Sequence, residues 1–410
     1  MDRSVLDEEA LRLAVEAGAI LFRPAKALRI ALKAAGTQSV EIEDSSGKRK
    51  LTGRWVVDAS GFAALLSRQE GWYCRNTDHP TTAVWARWKG VKDWDGRELA
   101  TRYPEWFGAC HGIRTTATNH VMGDGWWSWW IPLKGGDTSI GVVFDQRYVK
   151  WPQDGTLSER LKQFLTAQHP VAQEMLAQAI PVEGDVRLRA NLAYSTKVFA
   201  GDGFVLTGDA AGFIDPLYSP GMDWLTYTTT RAVELILSER KGIASNSLAD
   251  SIHAHNQEFT RSYNRWFTAI YRNKYEYLGD FELMRTAFRL DLALYYIGVV
   301  SQPVKFGPGA LRNSVFTRSS SNIPYFLIRT YNRRLVQIAR SRRKRGVFGN
   351  QNARRRYLLN GFLPDDSTAV PVLKGIVEWM LLELREGWRS WFQGEPLPRN
   401  STEPFSRQTP

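Results

Sequence analysis

The chain has 410 residues, 43% apolar and 23% charged, with a formal net charge of +12. That composition is ordinary for a globular protein and is enough for two domains, or one large domain with an appendage. Its two cysteines, Cys74 and Cys110, exclude a disulfide framework, and no apolar run nears the roughly eighteen residues of a membrane-spanning helix.

The first stretch, 4–18, places Leu6, Leu11, Ala14, Val15 and Ala17 at helical spacing, and Gly18 closes it. Its acids stand where a signal peptide would carry bases, so the expected location is the cytoplasm. "AILFRPAKALRIAL" and "QSVEIED" read as strands, followed by a turn at "SSGKRK" (45–50). "RWVVDASG" (54–61) reads as a strand that ends on Asp58 and a small-residue turn. From 70 to 200, segments such as "TTAVWARWKG", "GWWSWWIPL" and "DTSIGVVF" alternate in the manner of an antiparallel sheet. "LSERLKQFLTAQHP" (157–170) predicts an amphipathic helix stopped by Pro170. "GFVLT" (203–207) is a buried strand and "LTYTTTRAVELILSERKG" (225–242) a helix.

Beyond 246 the pattern is mostly helical, with "SLADSIHAHNQEFTRSYNRWFTAIYRNKYEYL" the longest piece. "VPVLKGIVEWMLLELREGWRSWF" (370–392) is a late helix with an apolar face, and "QGEPLPRNSTEPFSRQTP" reads as a disordered tail. Residues 333–356 carry ten Lys/Arg and no acid. Two readings stay open: a solvated basic helix, or peripheral contact with an anionic membrane or acidic partner. Nucleic acid is disfavoured, because no nucleic-acid-binding motif accompanies the charge. The six histidines form no HxxxH or HExxH pattern, so no metal is expected, and His253 and His255 read as surface residues.

Between the strand 203–207 and the next helix lies "GDAAGFIDPLYSPGMDW" (208–224), with three glycines, two prolines and three acids. Gly-Asp at the carboxyl edge of a parallel sheet is a common ligand position. Gly208 admits a ligand to the backbone, and Asp209 can accept hydrogen bonds from sugar hydroxyls. Asp215 and Asp223 are candidate helix caps. Pro216 and Pro220 fix the path of the elbow. Gly221 falls where a helix begins, with free N–H groups and the positive end of the dipole.

This elbow resembles the second flavin motif of the FAD-dependent monooxygenase superfamily, most closely that of the flavin-dependent halogenases and their geranylgeranyl-reductase-like relatives. The resemblance implies that Asp209 holds the sugar portion of FAD. It places Asp215, Pro216, Ser219, Pro220, Gly221 and Met222 beside the isoalloxazine ring. "VVDASG" resembles the family's intermediate Asp-x-x-Gly segment through Asp58 and Gly61. "WSWWIP" (127–132) is similar to the halogenase W-x-W-x-I-P pattern, and implies that Trp127 and Trp129 wall the substrate side. The resemblance covers residues 1–245.

Two departures accompany it. No GxGxxG occurs in the sequence, and Met1 falls well downstream of where the family carries that fingerprint. The expectation is therefore an N-terminally incomplete Rossmann-like domain, in which no lysine can be assigned the halogenase role. No catalytic residue is named. Second, Tyr218 stands where tryptophan halogenases carry a glutamate, which argues against tryptophan as substrate.

The expected fold is α/β, α+β overall. An FAD-binding domain spans 1–68 and 200–245, an antiparallel-sheet substrate domain is inserted at 69–199, a helical region covers 246–392, and the tail is 393–410. The expected function is a flavin-dependent oxidoreductase, halogenase-like or monooxygenase. It would act on an aromatic or carrier-tethered small molecule through a flavin hydroperoxide, with a flavin reductase or NAD(P)H as electron source. A geranylgeranyl-reductase-like protein at a membrane, or a non-catalytic remnant unable to hold FAD, are the alternatives.

Overall fold

The computed structural model describes residues 3–108, 114–168, 170–295, 301–317, 319–352 and 369–391. The expected tail, 393–410, and Cys110 lie outside the described residues. The chain divides into two compact units. The first comprises Met1–Arg75, Tyr194–Arg261 and Leu311–Ser314. The second comprises Asn76–Ala193, Ser262–Ala310 and Val315–Pro410.

The first unit opens with the helix Arg3–Glu16, after which Gly18 takes a φ of 99°. A meander follows, Ala25–Ala31, Gln38–Asp44 and Gly47–Gly53. The turn in it is shorter than the sequence suggests: the Ser46 N–H donates to Asp44 Oδ1 at 2.8 Å, and Lys48, Arg49 and Lys50 already lie in the third strand. That strand is at the sheet's edge, where long cations remain solvated.

The strand Val56–Asp58 pairs in parallel with Phe204–Leu206, setting Asp58 beside Leu206. Ala200–Gly201 adds an antiparallel neighbour. The next helix, Pro220–Arg240, starts before residue 225, because proline lacks the N–H that a first helical turn would leave without an acceptor. His255, on the helix Ser245–Trp266, is fully buried while His253 is exposed. Two positions apart on a helix point different ways, and here only one points outward. Burial pushes the His255 pKa down to about 4, with the Arg231 charge adding to the shift.

The second unit is built on a six-stranded sheet. Thr81–Lys89, Thr138–Asp145, Trp126–Pro132 and Asn119–Gly123 are antiparallel neighbours in that order. One face, with Val84, Trp88, Trp130, Ile140 and Val142, is sealed by the helix Leu157–Gln168 and by Pro170–Met175. Pro170 therefore opens a second short helix rather than ending the structure there. The long helical piece also breaks: after Trp266 come a π turn, Phe267–Tyr271, and a 3-10 turn, Lys274–Glu276.

Part of the basic stretch pairs internally, while Arg333, Arg343 and Lys344 are exposed. On the helix Asn322–Lys344, Arg334 meets Glu383 at 2.7 Å, Arg340 meets Glu276 at 2.6 Å, and Arg342 meets Asp280 at 2.7 Å and Glu282 at 2.6 Å. Arg345 reaches Glu386 at 2.8 Å. These arginines tie helices together and do not form an open cationic surface; Arg354, Arg355 and Arg356 lie outside the described residues.

Candidate functional site

In the first unit, the turn Gly61–Ala63 and the start of the helix Pro220–Arg240 both pack against the turn Gly208–Ala210. The turns leave the carboxyl ends of the two parallel strands, the place where open α/β sheets bind ligands.

Asp58 ends the first of these strands and is buried. Its Oδ1 accepts the Ser60 N–H and its Oδ2 the Leu66 N–H, both at 2.8 Å. Its carboxylate thus shapes the turn through Gly61, whose φ is 60°, and the start of the helix Leu65–Gln69. Gly208 opens the turn after the second strand with a φ of 53° and donates its N–H to Thr228 Oγ1 at 2.9 Å. A Cβ at Gly208 would lie 3.0 Å from Leu225 Cδ1, so the helix approaches the backbone closely here.

The Asp209 carbonyl accepts the Tyr194 hydroxyl at 2.6 Å, and Tyr194 stacks on Tyr73. Asp209 Oδ1 sits 3.6 Å from where a Cβ of Gly221 would be. The acid and the helix start, far apart in the elbow sequence, are therefore neighbours. Asp215 is fully buried, and its Oδ1 accepts the Leu217 N–H at 2.9 Å. This is a local Asx turn and not a helix cap. The Pro216 carbonyl then accepts the Ser219 N–H at 3.0 Å.

Tyr218 and Ser219 follow at φ of 68° and 53°, a left-handed pair that costs about 1 kcal/mol or more per residue. Ser219 occupies the N-cap position, yet its side chain makes no capping hydrogen bond. Pro220 has no N–H, Gly221 presents one at the positive end of the dipole, and Met222 is exposed.

Trp127 and Trp129 belong to the second unit. Two apart on one strand, they share a sheet face, with ring centroids 5.7 Å apart. Trp127 is buried and donates its Nε1–H to the Tyr275 hydroxyl at 2.9 Å. Trp129 is half-buried, donates to Ser139 Oγ at 3.2 Å and lies across Gly141, where a Cβ would fall inside its ring. His120 is Trp129's cross-strand partner and meets the Trp127 ring edge-on at 5.4 Å. Although solvent reaches part of the imidazole, surrounding protein desolvates it and pushes its pKa down to about 4, against a Ser128 carbonyl contact that raises it. The ring is neutral at pH 7.

Tyr194, Thr228 and Tyr275 carried no sequence signal, since each acts on a residue distant in the chain. Among the described residues, no group of His, Cys, Asp and Glu could hold a metal.

The family model for tryptophan halogenase matches residues 2–272. The chain belongs to the tryptophan halogenase family. It is 28% identical over 270 residues to the flavin-dependent halogenase armH5 of Armillaria mellea, covering 61% of this chain and 48% of that protein. It is 27% identical over 299 residues to a 1H-pyrrole-2-carbonyl-[peptidyl-carrier protein] chlorinase of Pseudomonas fluorescens, covering 71% of this chain and 59% of the relative. The chain spans about half the length of the curated relatives it matches.

Among solved structures, halogenase PltM shares the fold at a TM-score of 0.67 and 19% identity, with 91% of this chain and 72% of PltM covered. Another PltM structure holds phloroglucinol and FAD. The curated relatives are flavin-dependent halogenases, and the PltM complex shows FAD bound to this fold.

The elbow fits part of that cofactor. The Asp209 carboxylate would offer acceptors to a ribityl chain, and the N–H groups of the helix start would offer donors to an electron-rich ring edge. The glycine fingerprint for the pyrophosphate is not in these 410 residues.

Proposed function

We propose that the elbow of the first unit holds the sugar and ring edge of FAD in a flavin-dependent halogenase-like oxidoreductase. The observation that carries this reading is the juxtaposition of Asp209 Oδ1 with Gly221 at the start of the helix Pro220–Arg240, where the Ser219 side chain makes no capping hydrogen bond. Asp209 accepts hydrogen bonds from sugar hydroxyls. The Gly221 N–H and the helix dipole favour negative charge at the ring edge. Gly208, Asp215, Pro216, Ser219 and Pro220 set the backbone path, while Asp58 and Gly61 shape the neighbouring turn. Bound there, FAD would supply the electron transfer to dioxygen, and the protein supplies position and electrostatics.

The substrate is an aromatic or carrier-tethered small molecule, and a flavin reductase or NAD(P)H supplies the electrons. The printed substrate of the Pseudomonas relative and the phloroglucinol in PltM support that class. Tyr218, a phenol in place of a carboxylate, weighs against free tryptophan. Trp127 and Trp129 give an aromatic face suited to a planar substrate. The charge pairing of residues 334–345 weighs against membrane contact through that stretch.

The test is titration of the purified chain with FAD, read by flavin fluorescence. Saturable quenching that Asp209→Ala weakens about tenfold or more, the loss of a charge-assisted hydrogen bond, supports the reading. Equal titrations for the chain and the variant overturn it.

A further inference from the structure

The late helix Ala369–Leu382 and the turns after it, to Trp391, lie beyond the residues matched by the family model. Its inner face is well anchored. A Cβ at Gly375 would lie 2.7 Å from Leu290 Cδ2, so this helix and the helix Phe281–Tyr295 touch closely. Leu382 is buried. Glu378 pairs with Arg289, Glu383 with Arg334, and Glu386 with Arg342. Every acid of the segment thus points inward and is matched.

The outer face is a different surface. Leu373, Val377, Met380, Leu381, Leu384 and Trp388 are exposed at spacings of one, three and four residues, Leu384 to 76%. Such spacing places them along one stripe of the helix and its continuation. The other exposed side chains described between Val370 and Ser390 are Val370 and three cations, Lys374, Arg385 and Arg389. Arg385 meets Glu282 at 2.9 Å, and the Arg389 guanidinium lies 5.2 Å from the Trp388 ring. No exposed acid interrupts the stripe.

We infer that this stripe is a peripheral docking surface for an anionic lipid membrane, with the helix lying in the plane of the interface. An apolar stripe with a tryptophan, edged by Lys and Arg, is the composition that sinks to the boundary between headgroups and acyl chains. The sign of the charge selects this occupant over a second copy of the chain. A two-fold interface sets the same face against itself, and here that would oppose Lys374 and Arg389 to each other with no exposed acid between them. A surface of anionic headgroups supplies the missing charge. No helix among the described residues is long and apolar enough to cross a membrane, so the contact is superficial. The surface belongs to the late helix whose apolar face the sequence already shows, and not to the basic stretch 333–356.

The experiment is co-sedimentation of the full chain with vesicles of phosphatidylcholine, alone or mixed with phosphatidylglycerol, at low and high salt. The expected result is sedimentation with the mixed vesicles only, weakened by salt. Val377→Glu with Leu381→Glu should abolish it. Lys374→Gln and Arg389→Gln should each weaken binding about fivefold, the worth of one cation near an anionic surface. Circular dichroism checks that the outward substitutions leave the fold intact; if the glutamate pair does not fold, the glutamine variants carry the test. Failure to bind mixed vesicles overturns the proposal, as does binding that the folded variants leave unchanged. If the chain instead forms a dimer that the glutamate pair dissolves, the face is a self-interface and the proposal falls. FAD titration of the same variants should be unchanged, which keeps this test separate from that of the elbow.

Discussion

In the elbow, Tyr218 and Ser219 hold left-handed φ values and Asp215 spends a buried carboxylate on its own turn. In the tryptophan strand, the backbone runs in unbroken antiparallel register with both neighbours, and the bulk is carried by rings. The elbow is shaped by main-chain strain that surrounding contacts must maintain: Tyr194 on the Asp209 carbonyl, Thr228 on the Gly208 amide. The strand is shaped by side-chain volume, with Gly141 left bare so that Trp129 can lie flat. Strain suits a place where backbone groups meet a ligand. Filled volume suits a rigid wall.

The contrast can be broken first at Asp58. Asp58→Ala removes two acceptors from buried N–H groups, and should cost about 3 kcal/mol in denaturant unfolding. A loss of FAD affinity with stability unchanged would give its carboxylate a ligand role instead of a structural one. Acid provides a second lever of similar size. His255 has an ordinary pKa near 6.5 when unfolded and about 4 when folded. Its contribution is therefore fully present above about pH 6.5 and is lost as pH falls toward 4, about 3 kcal/mol in all. His255→Leu should flatten that part of the stability profile.

Gly141→Ala tests the opposite principle. The new Cβ forces the Trp129 ring to move, at about 2 kcal/mol, with no effect expected on FAD titration. The smallest effect belongs to the elbow's strain. Ser219→Gly should raise stability by about 0.5 kcal/mol, because glycine accepts the left-handed conformation that serine resists. A loss of stability there would mean that the Ser219 side chain does more than occupy a turn.

Much of this was legible where the signal is local. Alternation marked the strands around Trp127, and glycine and proline marked the elbow before any partner was known. The helix start at Gly221 was legible too, although the apolar periodicity of the helix is seen only from residue 225. His255 was misplaced because helical spacing says that His253 and His255 face apart, not which one faces inward. The basic stretch misled for a physical reason of another kind. A run of arginines reads as a surface until the carboxylates that meet it come into view, and those lie far along the chain, as Glu386 does from Arg342 at a separation of 44 residues.

That separation also orders events in time. Arg334 and Arg342 are buried, and the chain makes them well before Glu383 and Glu386, the carboxylates that complete their pairing. A growing chain that has already exposed the helix Asn322–Lys344 still carries two guanidinium groups without those counter-charges. Closing it early would strand charge in a poorly solvated interior. The burden falls on Arg334, because Arg342 already has Asp280 and Glu282, both made before it.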